Sequence, residues 1–298
     1  MQDNRIKVGQ IELQIRDYKM DTDPIIFLHF GGGNLMIWQR VVPFFENDYR
    51  LILVDLRDHG KSDKPQTEGH IDVMAADIVE LMRQLKLDRA HVIGSSLGAE
   101  VGLSLAANYP EKVISLVCDG ALCSEYGPYG VWESSENEFK QYVAKYISDI
   151  HTRPPKVFPS VDAFVGFYKE IFEKDDCWNS FVADYFQYDA FEFSPGQFTR
   201  SWQKRAVENY MTQYFNCRFE EYYSRVLCPI LMLSGEDDEQ DEKTGKAMHS
   251  LISLAKNGRL VVVPGWIHPY GWMLNPDGIC ASILGFLKGL NVQEQINH

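Results

Sequence analysis

The run Gly94-Ser95-Ser96-Leu97-Gly98 fits the pattern G-x-S-x-G with Ser96 at its centre. A serine on a sharp strand-to-helix turn sits at a strained backbone angle, and only small residues two before and two after it avoid clashes. Such a turn exposes the hydroxyl at the amino end of a helix, where negative charge developing on a substrate oxygen is favoured. Ser95 cannot take the same place, because its flanking positions are Ile93 and Leu97; it reads as filler before the nucleophile. The chemistry implied is nucleophilic catalysis, for which a serine needs a base and the base an orienting acid.

In this strand-turn-helix setting the expected chain order is Ser, then Asp or Glu, then His. Three histidines lie beyond position 200. His249 falls within a helical pattern and His298 is the last residue, which leaves His268 in "PGWIHPYGW", three residues past the apolar run "RLVVVPG". The acid is expected in "SGEDDEQ", after the preceding apolar run. Asp238, three residues past Gly235, has room to turn back toward the histidine, whereas Glu236, Asp237 and Glu239 read as solvated charges. Asp119, at the end of "VISLVCDG", competes with Asp238, since that strand end faces the same edge.

Elements that could hold these groups follow from the apolar pattern. "RIKVGQIELQIRDYK" alternates apolar and polar residues around Gly9, as in a β-hairpin with one exposed face. Residues 24–30, 49–57, 90–94 and 112–121 are near-continuous apolar runs, as in parallel strands buried on both faces. Residues 35–46, 71–87 and 97–110 have the length or spacing of crossover helices. This alternation predicts an α/β fold with a mostly parallel, twisted sheet of about eight strands and helices on both faces. The rhythm breaks between Gly120 and Arg225, where roughly two thirds of the Phe, Trp and Tyr residues lie, and resumes at "CPILMLSGEDD". The expected organisation is a core of residues 1–123 and 226–298, with a helical, aromatic-rich cap, residues 124–225, inserted after the sixth strand. Most cap aromatics would form its own core, and the rest would give the site an apolar or aromatic preference.

Composition narrows the partners. A net charge of −13 and an acidic run as the longest charge cluster argue against nucleic acid. Six scattered cysteines show no metal-ligand spacing and suit reduced thiols in a cytoplasmic protein. The first ten residues lack the pattern of a signal peptide, and no apolar run reaches the ~20 residues needed to span a bilayer. A small molecule is the expected partner, the chain acting as monomer or homodimer without metal or organic cofactor.

Taken together, "FLHFGGGN", "DLRDHGKS", "GSSLG", "SGEDD" and "PGWIH" occur in an order that resembles the α/β-hydrolase fold superfamily, in its capped form. The resemblance covers nearly the whole chain apart from the cap. It implies an oxyanion hole made by the backbone N–H groups of Leu97 and Gly31, with Gly32 as the alternative to Gly31. Phe30 replaces the glycine that usually follows the histidine of the first motif, and Asp58 replaces a glycine after Arg57, where it reads as filling an exposed turn. Asp55, Arg57 and His29 read as structural, and Trp38 as packing the first helix on the sheet. The expected activity is that of a serine hydrolase cleaving a small apolar or aromatic ester or lactone through an acyl-enzyme on Ser96, His268 and Asp238. Hydrolysis of a carbon–carbon bond in ring-cleavage diones is the alternative chemistry, and non-catalytic binding of a small ligand the alternative class.

Overall fold

A computed structural model describes residues 1–296 apart from Gln66, Glu68 and Ala121, with side chains through residue 290; His298 lies outside the described residues. Eight strands form one sheet in the order β1-β2-β4-β3-β5-β6-β9-β10. They are β1 (Gln2–Val8), β2 (Ile11–Tyr18), β3 (Pro24–Leu28), β4 (Arg50–Val54), β5 (Ala90–Ser95), β6 (Val113–Asp119), β9 (Ile230–Ser234) and β10 (Gly258–Val262). The β1-β2 hairpin turns at Gly9, and β2 pairs antiparallel to β4; every other pairing is parallel.

Successive residues of a strand point to opposite faces, and both faces are covered here. In β3, Ile26 and Leu28 pack on one side with helices α2 (Ile71–Gln84) and α3 (Leu97–Asn108). Ile25 and Phe27 pack on the other with Trp38, Trp272 and helix α12 (Asp277–Ile296). That two-sided burial is why the central strands read as unbroken apolar runs. The 35–46 crossover is not one helix. It is a 3-10 turn over Leu35–Trp38, capped by the Asn34 side chain, followed by the short α1 (Val42–Phe45). Pro43 has no N–H and is accepted only in a first helical turn, so the helix restarts there. Trp38 is fully buried between Phe27 and Trp272.

Between β6 and β9 the chain leaves the sheet. It forms α4 (Glu136–Thr152), α5 (Val161–Phe172), α6 (Ser180–Asp189), the hairpin β7 (Ala190–Ser194) with β8 (Gln197–Arg200), α7 (Lys204–Tyr214) and α8 (Phe219–Tyr223). The hairpin departs from the all-helical expectation. Its signal was in "AFEFSPGQFTR", where aromatic and other residues alternate around a Pro-Gly turn and Gly196 takes φ +69°. Beyond β9 come α9 (Glu236–Gln240) and α10 (Glu242–Ile252), and beyond β10 the short α11 (Gly271–Leu274). No described helix is long and apolar enough to cross a membrane.

Several buried polar contacts tie this segment to the sheet. Tyr210 on α7 donates to the carboxylate of Glu100 on α3 at 2.9 Å. Burial lifts Glu100 to about 7, opposed by that hydrogen bond. Tyr188 donates to Asp55, which also accepts from the Leu35 and Lys61 amides. Asp58 does not fill an exposed turn: it is buried with φ +66°, 3.4 Å from Arg205, because α7 lies over it. Arg57 grips Asp77 through two parallel hydrogen bonds, one of 2.7 Å, and both side chains are nearly buried. Arg57→Ala would strand the Asp77 carboxylate, so a loss of about 3 kcal/mol or more is expected in urea unfolding.

Candidate active site

The carboxyl ends of β3, β5, β6, β9 and β10 open on one edge of the sheet, and the groups singled out by chemistry follow these ends. Ser96 lies between β5 and α3 with φ +49° and ψ −119°, a strained conformation for a residue with a side chain. Its N–H donates to the Asp119 carbonyl at 2.8 Å, and its carbonyl accepts from Ala99 and Glu100 in the first turn of α3. The spacing of the two glycines has a direct cause. A Cβ on Gly94 would collide with the Gly98 carbonyl, and one on Gly98 with the Leu28 carbonyl. The turn can therefore be this tight only with glycine at both places.

His268 reaches the same edge from the loop after β10. Its imidazole lies over Gly120, such that a Cβ there would sit 3.1 Å from Cε1 and 3.5 Å from Nε2. Gly120 also has φ +115°. Gly120→Ala is thus disfavoured twice, by its backbone and by the ring it would displace. A misplaced base costs rate, so kcat/KM should fall about 10- to 100-fold, a change that steady-state kinetics on the folded variant checks.

The carboxylate that lies beside His268 is that of Asp119, where the sequence pointed to Asp238. Nδ1 of His268 is 3.2 Å from Asp119 Oδ2, at ion-pair distance although off the line of a hydrogen bond. Asp238 instead lies in α9, where Oδ2 accepts from the Ser234 hydroxyl at 3.3 Å; its charge acts on His268 only from farther away. Asp238 stands away from the imidazole for a local reason. "GEDDEQ" does not continue as an open loop but winds into a helix directly after Gly235, which carries the carboxylate off to the side.

Asp119 is fully buried at the end of β6 and densely satisfied. Oδ1 accepts from Trp266 Nε1 at 2.8 Å, and Oδ2 accepts from Trp272 Nε1 at 2.8 Å and from Ser95 Oγ at 2.7 Å. Burial alone would raise its pKa, but the His268 charge and these donors outweigh burial and hold it below the ordinary carboxylate value. Burial pulls His268 the other way, downward, and the Asp119 charge more than reverses this, so the imidazole is raised above 6.5. Ser95 is therefore no filler. It is the register partner of Asp119 across β5 and β6, and its hydroxyl holds the carboxylate. Trp266 and Trp272 were likewise missed, though both flank His268 in the sequence; nothing in the spacing says which acceptor their N–H groups meet.

The loop after β3 supplies the facing wall. His29 Nε2 accepts from the Leu56 amide at 3.0 Å, so its proton is on Nδ1, which donates to the Phe30 carbonyl at 2.8 Å. Burial takes His29 down to about 4, and it stays neutral. The Gly32 carbonyl accepts from Tyr185 at 2.8 Å and from Arg200. Gly31 lies against Leu97, with 3.7 Å between an ideal Gly31 Cβ and the leucine Cβ. Among the described residues the N–H groups of Gly31 and Leu97 donate to no acceptor. Phe30 points its ring between Tyr185 and Tyr270 and is buried. Trp202 covers the glycines: Cβ atoms on Gly31 and Gly32 would stand 3.1 and 2.9 Å from its indole.

The alpha/beta hydrolase fold family matches residues 23–269. This chain belongs to that family. It is 27% identical over 247 residues to the fluoroacetate dehalogenase of Burkholderia sp., a match covering 77% of this chain and 74% of that one. To the 2-(acetamidomethylene)succinate hydrolase of Mesorhizobium japonicum it is 34% identical over 113 residues, 38% of this chain and 40% of the relative. The crystal structure of E-2-(acetamidomethylene)succinate hydrolase superposes with a TM-score of 0.74 at 22% identity, covering 96% of this chain and 98% of that one. These relatives are hydrolases, and membership of their family supports a hydrolase here, without fixing the bond it cleaves.

Proposed function

We propose that the chain is a serine hydrolase of small ester- or lactone-type substrates, with Ser96 as nucleophile, His268 as base and Asp119 as the acid. The observation that carries this reading is the convergence of an imidazole packed over Gly120 against a buried carboxylate with a strained serine on the neighbouring strand end. His268 Nε2 takes the Ser96 proton as Oγ adds to the substrate carbonyl. The free amides of Leu97 and Gly31 receive the oxyanion, at the amino end of α3 where the helix dipole favours negative charge. The imidazolium then returns the proton to the leaving group, and water, deprotonated by the same imidazole, releases the acid. Asp119 stabilises the imidazolium through its charge. Displacement of halide from carbon calls for a carboxylate nucleophile, and the elbow residue here is a serine; this favours acyl transfer over dehalogenation.

A fluorophosphonate probe followed by intact-mass and peptide analysis tests the nucleophile: labelling at Ser96 is expected. A panel of p-nitrophenyl esters, lactones and aryl diones then tests the bond. No labelling together with no turnover across the panel at neutral pH would sink the hydrolase reading in favour of ligand binding alone.

A further inference from the structure

A cleft of about 1050 Å³ lies within the 120–229 segment, between the end of α4 and the start of α7, with Trp202 in its wall. Its charge runs against that of the protein. The chain carries a net −13, yet Arg153, Lys156, Arg200, Lys204 and Arg205 line this cleft against the single carboxylate of Glu208. Asp189 is paired with Arg200, and Asp58 with Arg205. Among the described residues Arg153, Lys156 and Lys204 have no carboxylate partner: Lys156 rests on the Phe167 ring at 3.7 Å, and Lys204 donates to the His151 carbonyl. Within Arg205, Nη1 is buried and meets no acceptor among the described residues, while Nη2 turns to Asp58 and the Pro65 carbonyl. Between the cations the lining includes the apolar surfaces of Tyr168, Phe193 and Pro154. Cations that repel one another around an apolar hollow, with too few carboxylates to balance them, favour an anion that carries an apolar body.

We infer that this cleft binds a small organic anion, a carboxylate or an equivalent group on an aromatic-sized apolar body. Trp202 forms its wall and also covers Gly31 beside the free Leu97 amide, so one indole separates the cleft from the oxyanion loop. Resting on the reading of Ser96 as nucleophile, the cleft seats the anionic, non-scissile end of the substrate.

The test compares an isosteric pair, 2-naphthoate and neutral 2-naphthamide, by calorimetry on the full chain. Naphthoate is expected to bind at least about tenfold more tightly at low salt, the preference shrinking toward unity near 1 M salt as charges are screened. The double substitution Arg153→Gln/Lys204→Gln should remove most of the preference while leaving naphthamide affinity unchanged. Both positions are exposed or half-buried and can be replaced without loss of packing; unchanged circular dichroism and melting temperature verify folding. Equal affinity for the pair, absence of naphthoate binding at millimolar concentration, or a preference that survives the double substitution would overturn the inference. Turnover of a neutral p-nitrophenyl ester is measured in parallel. Turnover without anion preference overturns the cleft assignment alone; anion preference without turnover or Ser96 labelling overturns the hydrolase reading alone.

Discussion

Ser96→Ala is expected to lower kcat on the best ester of the panel by about 10³- to 10⁶-fold, with the residual rate coming from binding and the oxyanion amides. The variant should fold as the parent does. The φ of +49° is carried by the backbone turn, which the two flanking glycines permit, and alanine strains it no more than serine. Among the described residues the Ser96 hydroxyl holds no hydrogen bond whose loss would leave a buried partner unsatisfied. Activity and stability should therefore separate: a collapse in turnover with a melting temperature close to the parent's. An enzyme that keeps more than a tenth of its turnover without the hydroxyl has another nucleophile.

The second large effect distinguishes two carboxylates. Asp119→Asn should lower kcat/KM by about 10²- to 10⁴-fold, since an amide can neither stabilise the imidazolium nor fix the Nδ1 proton. The pH profile carries the sharper signature. In the parent, His268 is raised above 6.5 because the Asp119 charge outweighs burial, so the acid limb of kcat/KM should lie above pH 6.5. With the charge gone, burial dominates and the limb should move to lower pH. Asp238→Asn should move it only slightly, because Asp238 is the smallest of the influences on His268 and does not touch it. A limb that moves with Asp238→Asn and stays with Asp119→Asn would return the acid to Asp238. Stability follows the same charge. The Asp119 pKa is depressed, so its contribution is present at neutral pH and is lost as the pH falls through and below 3.8. Asp119→Asn should accordingly flatten the acid side of the stability curve measured by urea unfolding.

The scaffold was legible in the sequence, and so was the residue proposed as nucleophile. Near-continuous apolar runs bounded by turn residues read as strands buried on both faces, and G-x-S-x-G set directly between one of them and a helical pattern reads as a tight strand-to-helix turn. His268 was legible for the same kind of reason, as a histidine shortly beyond a late strand. These features are local: a few adjacent residues fix them, whatever lies elsewhere in the chain. The partners of those residues were not local. Asp119 and Asp238 both follow strand ends, and only the winding of residues 236–240 into a helix, with His268 laid over Gly120, puts one carboxylate beside the imidazole and leaves the other aside. Ser95 looked idle because its role depends on the β5-β6 register, which places it opposite Asp119. The cationic cleft could not be read at all. Its lysines and arginines are spread from 153 to 205, and they become a single charged surface only where α4, the β7-β8 hairpin and α7 meet.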